Sequence, residues 1–226
     1  MKTTPDFARL LQAYFLDRLM RQQQASPHTI ASYRDTFRLL IAFVHKRLKV
    51  APSHLAVRDL DIALITAFLD HLEQERGNSA RSRNIRLAAI HSFFRYVALC
   101  EPAYGGLAQQ ILMLPRKRAE RKPVDFLTEP EIIALLAAPD RGTWSGRRDH
   151  VLMLIAVQTG LRVSELVGLS WDSLMLGSGP YIRCCGKGRK ERCTPLQKGA
   201  SALLAAWSKF DFRHYAAACR TVLMVW

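Results

Sequence analysis

The segment Pro115-Arg116-Lys117-Arg118-Ala119-Glu120-Arg121-Lys122-Pro123 sets five basic side chains and one acidic one between two prolines. Proline stiffens such a stretch, and its charges stay solvated or meet phosphate. Neither property suits the inside of a hydrophobic core. The chain therefore divides into a unit over residues 1–114, a basic linker over 115–124 and a second unit over 125–226. A length of 226 residues fits one large domain or two small ones.

Before the linker, apolar residues recur at helical spacing. Phe7, Leu10, Leu11, Tyr14 and Phe15 form a first stripe. Ser26-Pro27 reads as a cap followed by proline at the first helical position. It opens a long stripe of Ile30, Tyr33, Phe37, Leu40, Ile41 and Val44. Asp59 or Asp61 caps a third helix carrying Leu64, Ile65, Phe68, Leu69 and Leu72. Gly77-Asn78-Ser79 breaks the chain, and Ser79 starts a fourth helix with Ile85, Ala89, Phe93, Tyr96 and Val97 inward. Four helices with short connections predict a compact bundle.

After the linker, Thr128-Glu129-Pro130-Glu131 reads as a capping box ahead of a helix through Ile132, Ile133, Leu135 and Leu136. Asp149 to Gln158 is apolar enough to predict a buried helix, which Gly160 ends. Pro180 to Pro195 alternates around Gly186 and Gly188 as a β-hairpin does, and Ala200 to Trp207 is a further helix. The expected fold class is mainly α with a small β-hairpin or sheet.

Lys and Arg number 33 against 19 Asp and Glu, a net charge of +14. That excess favours a polyanion, nucleic acid first; a basic protein with no particular partner is the alternative. No stretch reaches the 18 or so apolar residues of a membrane span, and no signal peptide opens the chain. The five cysteines are an odd number without CxxC spacing, so neither a disulfide framework nor a zinc site is expected. The seven histidines show no metal-ligand spacing, and most read as surface or edge positions. No metal and no cofactor is expected, and a reduced, cytoplasmic protein is the simplest account.

The run Thr159-Gly160-Leu161-Arg162-Val163-Ser164-Glu165-Leu166 places an arginine at the mouth of a helix. Gly186-Lys187-Gly188-Arg189-Lys190-Glu191-Arg192 then places a lysine between two glycines, 25 residues beyond that arginine. Arg162 offers a planar, always-charged fork that matches two phosphate oxygens. Lys187 offers a compact charge that can also release a proton, and the basic residues around it should lower its pKa. Glu165 lies on the same helical face as Arg162 and can orient it. Blander readings are a helix-start arginine paired with a surface acid, an exposed ion pair worth a few tenths of a kcal/mol, and a solvated basic turn. Arg147 and Arg148, ahead of Asp149, face either phosphate or water. Arg81, Arg83, Asn84 and Arg86 share one polar face of the fourth helix, a DNA-contacting or simply solvated face.

These motifs, with the Cys193-Thr194-Pro195-Leu196 exit from the hairpin, resemble the tyrosine recombinase (phage integrase) family from about Phe7 to Trp207. The resemblance implies an N-terminal four-helix SAM-like core-binding domain and an α+β integrase catalytic domain that clamp double-stranded DNA between them. It implies site-specific recombination and integration without metal or ATP: a tyrosine attacks the phosphate, forms a 3′-phosphotyrosyl bond and releases a 5′ hydroxyl. Arg162 then matches the first catalytic arginine, which grips a non-bridging phosphate oxygen. Glu165 matches a supporting acid. Lys187 matches the hairpin lysine that protonates the leaving oxygen, with Lys190 as runner-up. Arg81, Arg83, Asn84, Arg86, Arg116, Lys117, Arg118, Arg189 and Lys190 are the DNA-binding candidates.

The family's second box, His-x-x-Arg, and the tyrosine beyond it have no match after Lys187. His214 is followed at the third position by Ala217, and Tyr215 adjoins His214 rather than lying beyond a second box. From about residue 209 the sequence no longer resembles the family. The expectation is a C-terminally truncated or frameshifted mobile-element recombinase with an incomplete catalytic domain, catalytically silent and unable to assemble the family's tetramer of recombinase subunits. The alternative is a non-catalytic DNA-binding protein that occupies recombination sites.

Overall fold

A computed structural model describes residues 6–120, 123–186 and 190–214. The chain separates into two compact units, Met1–Lys122 and Pro123–Trp226.

In the first unit α1 (Phe7–Ala13) widens into a π-helical stretch, Tyr14–Gln22. It is followed by α2 (Pro27–Leu48), α3 (Ile62–Gln74), α4 (Ala80–Cys100) and α5 (Gly105–Leu112). The starts are set by side-chain caps, which satisfy backbone donors that a helix leaves open. Ser26 Oγ accepts the Thr29 N–H at 3.2 Å, and Ser79 Oγ accepts that of Ser82 at 3.3 Å. Of the two candidates for α3, Asp61 is the cap, taking the Leu64 N–H at 2.7 Å; Asp59 takes the Ala56 N–H instead.

The bundle closes on an aromatic cluster in which Phe93 lies 5.7, 5.5 and 5.2 Å from Phe7, Tyr14 and Phe37, all edge to face. Edge-to-face contact puts positive ring edges against negative ring faces. Tyr14 donates to Ser92 Oγ at 2.7 Å, and burial raises its phenol's pKa.

Two expectations for this unit need correction. Ile85 is not inward but 47% exposed; the buried stripe of α4 is Leu87, Ile90, Phe93, Phe94 and Val97, with Ala89. Its 3–4–3 spacing defines a face that Ile85 misses. The fifth helix, α5, was hidden by its opening Gly105-Gly106 pair. Tertiary packing supplies what propensity withholds: Ala108 and Ile111 are buried, and the Ile111 carbonyl lies 3.0 Å from His91 Nε2. Burial lowers the His91 pKa.

The second unit comprises α6 (Glu129–Ala137), α7 (Trp144–Thr159), α8 (Val163–Val167), β1 (Leu174–Met175), β2 (Tyr181–Cys185), β3 (Glu191–Pro195) and α9 (Lys198–His214). The strands form one antiparallel sheet in the order β1-β2-β3, with Leu174 opposite Ile182 and Cys184 opposite Arg192. Ile182 and Cys184 point into a core of Val151, Ile155, Leu161, Leu166, Leu169, Leu204 and Trp207, while Arg183 and Cys185 face out. That is the period-two alternation of a half-buried strand.

Here too the sequence reading shifts. Helix α7 begins at Trp144, five residues before Asp149, because Thr143 Oγ1 accepts the Gly146 N–H at 3.0 Å. It is buried on one face only: Val151 and Ile155 are inside, and Val157 is 43% exposed. Strand β1 is too short to leave a sequence pattern. Of the seven histidines, His91 and His150 are buried. Among the described residues no helix is long and apolar enough to cross a membrane.

Candidate active site

Helix α7 stops because Gly160 turns left-handed, with φ +60° and ψ +26°. The turn drops Leu161 into the core of the second unit, 6% exposed, and swings the next residue outward. Arg162 therefore occupies the cap position of α8 in extended backbone geometry, its side chain 61% exposed. Leu166 and Leu169, both buried, anchor the other end of this short element.

The side chain beneath Arg162 is Glu165, 5% exposed. Its Oε2 accepts the Arg162 backbone N–H at 2.8 Å, and its Oε1 lies 3.2 Å from Arg162 Nη1. Across the sheet, Arg192 of β3 donates through Nη2 to the same Oε2 at 2.9 Å. The Arg162 backbone N–H holds the Glu165 carboxyl below the ordinary carboxylate range, aided by the Arg162 side chain and the Arg192 charge and opposed by burial. One carboxylate thus ties the helix that carries Arg162 to the strand that leaves the hairpin.

The hairpin's base is drawn in as well. Gly186 N–H donates to the Lys190 carbonyl at 2.8 Å, closing the turn, and a Cβ at Gly186 would sit 3.1 Å from Glu165 Oε1. A side chain there would press on the carboxylate; glycine allows the approach. Lys190 is exposed beside this closure. Lys187, Arg189 and Tyr215 lie outside the described residues.

Sequence reasoning placed Arg162 and Glu165 together and included Arg192 only among the basic neighbours of Lys187. Its role as the second cation on Glu165 was not read. The available signal was strand alternation, which places Arg192 opposite the inward-facing Cys184.

Other basic candidates have partners within the protein. Arg148 donates to Asp149 Oδ1 at 2.9 and 2.7 Å and lies 5.3 Å over the Trp144 ring. Arg147 donates to the carbonyls of Arg141 and Gly142. On α4, Arg81 is exposed, whereas Arg83 is buried and donates to the Pro115 carbonyl at 2.9 Å. Asn84 bonds the backbone of Lys117, and Arg86 reaches back to the Ser32 carbonyl and Thr36 Oγ1 of α2. Arg116 and Arg118 are exposed, and Lys117 pairs with Glu73 at 2.6 Å.

Comparison with known proteins matches this architecture at the level of sequence. Residues 125–221 match the phage integrase family, and residues 13–99 match the phage integrase N-terminal SAM-like domain. The first match runs beyond Trp207, where the resemblance read from sequence ended. An integrase/recombinase of Sinorhizobium fredii, y4rC, is 58% identical over 202 residues, covering 89% of this chain and 61% of that protein. A second from the same organism, y4rD, is 45% identical over 200 residues, covering 88% of this chain and 71% of that one. The tyrosine recombinase XerC of Chlamydia muridarum is 32% identical over 208 residues, covering 85% and 64%. The chain thus spans roughly three-fifths to seven-tenths of these relatives' lengths.

Among solved structures, a XerH site-specific recombinase bound to a palindromic difH substrate superposes with a TM-score of 0.65 at 16% identity, over 100% of this chain and 68% of that one. The Tn1549 transposon integrase in complex with transposon right end DNA gives 0.69 at 12% identity, over 96% and 71%. At such identities the likeness is one of fold. The sequence relatives decide kinship, and by them the chain belongs to the phage integrase family of tyrosine recombinases.

Proposed function

We infer that the chain acts on double-stranded DNA in site-specific recombination, with Arg162 as the phosphate-gripping arginine, Glu165 as its support and Lys187 as the proton donor to the leaving 5′ oxygen. The observation that carries this reading is the Glu165 junction: a carboxylate 5% exposed that fixes the backbone and guanidinium of Arg162 and leaves the rest of that guanidinium outward. A preorganised cation of this kind stabilises charge developing on a phosphate without reorganising at the moment of reaction. The net charge of +14 and the exposed Arg81, Arg116, Arg118 and Lys190 support a DNA partner. The integrase names of the relatives and the transposon integrase among the fold neighbours support a mobile-element source, and a DNA-acting protein of this kind would work in the cytoplasm.

A second reading is DNA occupancy without turnover. It shares the DNA contacts of the first reading and differs from it in strand cleavage. A nicked suicide substrate on a denaturing gel separates the two. These 226 residues alone should give no covalent protein–DNA band, and a band abolished by Tyr215→Phe would reject that expectation. In a chimera completed with a family C-terminal half, Arg162→Ala should slow cleavage on the order of 10²–10³. Lys187→Ala should be rescued by a 5′-phosphorothiolate leaving group, which needs no proton; equal rescue of the arginine variant would refute the assignment.

A further inference from the structure

Residues 115–117 open the basic linker, yet the structure holds them on the first unit. Asn84 meets Lys117 twice: its Nδ2 donates to the Lys117 carbonyl at 2.7 Å, and its Oδ1 accepts the Lys117 N–H at 3.0 Å. One side-chain amide thereby takes both backbone groups of one residue, as a neighbouring strand would. Arg83, one position earlier, is 5% exposed; its Nη1 donates to the Pro115 carbonyl at 2.9 Å and lies 3.3 Å from Asn84 Oδ1. The second contact fixes which way the Asn84 amide faces. The Lys117 ammonium turns to Glu73 of α3 at 2.6 Å. On either side, Arg116 and Arg118 stay exposed.

A linker that served only to connect would need none of these bonds. Ordering three residues costs conformational entropy, and burying a guanidinium costs solvation. Both costs are met here by side chains of α4 that a DNA-reading face would leave outward. Arg83 cannot reach a base while it lies inside the unit on the Pro115 carbonyl. The amide of Asn84 already has its acceptor and one donor engaged by Lys117.

We propose that Arg83 and Asn84 are linker-positioning residues, which fasten Pro115–Lys117 to α4 so that Arg116 and Arg118 meet the DNA backbone from a fixed place, together with Arg81 one turn before Asn84. The proposal rests on the reading of the chain as a DNA-binding protein. It moves two residues from the DNA contact set to the support beneath that set, and it makes Lys117 a partner of Glu73 in the free protein.

The test uses the full chain and Asn84→Ala, in two arms. In the first, amide hydrogen exchange is followed at Lys117, whose N–H bonds Asn84 Oδ1. Exchange should be slow in the unaltered chain and faster on the order of ten-fold or more in the alanine variant. Asn84→Asp keeps the acceptor and should retain most of the protection. Equal exchange at Lys117 in the unaltered chain and the alanine variant would overturn the proposal. In the second arm, affinity for a mixed-sequence duplex is measured against salt. Loss of the positioned Arg116 and Arg118 should make the slope of log affinity against log salt shallower by about 1–2, since each phosphate contact contributes about 0.9. A loss of affinity with an unchanged slope would mean that Asn84 touches a base directly, and the proposal would be wrong. No duplex binding by the unaltered chain would sink the DNA reading, while the exchange arm would still decide the clasp.

Discussion

Replacing Gly160 by alanine isolates the backbone cost of the turn that presents Arg162. A Cβ built at this glycine meets no atom within 4 Å, so packing contributes nothing. Two backbone effects of opposite sign remain. Alanine narrows the unfolded ensemble, which stabilises a protein by about 0.4–1 kcal/mol where the native conformation suits it. At φ +60° the conformation does not suit it, because a left-handed backbone crowds Cβ against the following carbonyl at a cost of roughly 1–2 kcal/mol. The strain is the larger, and the net loss should be about 1 kcal/mol. For a unit on the order of 100 residues that lowers the unfolding midpoint by roughly 4–8 °C. Gly160→Asn should lose less, since asparagine tolerates this region. All four tryptophans lie in the second unit, so fluorescence-detected melting reads the unit concerned. A midpoint at or above that of the unaltered chain would refute the left-handed turn. A loss of roughly 3 kcal/mol or more would mean that the added methyl collides with something.

Glu165 should make the second unit sensitive to acid. Its folded-state pKa is depressed, so its contribution is complete above the ordinary carboxylate value and disappears as pH falls through the folded value. Melting midpoints of the unaltered chain and Glu165→Gln should converge as pH is lowered through that window; parallel curves would contradict the junction. Phe93→Ala, at the centre of the aromatic cluster, should cost about 3–5 kcal/mol in urea unfolding followed by far-UV circular dichroism. A loss below about 1 kcal/mol would show that the cluster is not packed as described. Asp61→Ala removes the cap of α3 and should cost about 1 kcal/mol in the same assay, whereas equal stability would return the capping role to Asp59.

The elements most legible in the sequence are those whose signals are local. Ser26, Asp61, Ser79 and Thr128 stand where caps are required, and Gly160 stands where a helix must stop in left-handed geometry. The hairpin showed in its alternation. Illegible were features that owe their stability to partners far along the chain. Helix α5 opens on two glycines and forms because Ala108 and Ile111 have a core to enter. Ile85 looks inward by residue type, but the face of α4 is chosen by what α2 and α5 present to it.

The candidate site divides along the same line. Arg162 and Glu165 are three residues apart, so their pairing followed from helical spacing. Arg192 is 27 residues from Glu165, and its contact exists only once the strand register has set it opposite Cys184. Arg83 is the sharpest case, because a charged helix-face residue is read as solvated until a carbonyl 32 residues away is found beside it. Arg83 and Arg86 donate to backbone carbonyls within the protein, and Arg148 donates to the Asp149 carboxylate. The count of 33 Lys and Arg therefore overstates how many cations are free to displace counterions from DNA. The measured salt slope should report the smaller number, the contacts made by side chains that the fold leaves outward.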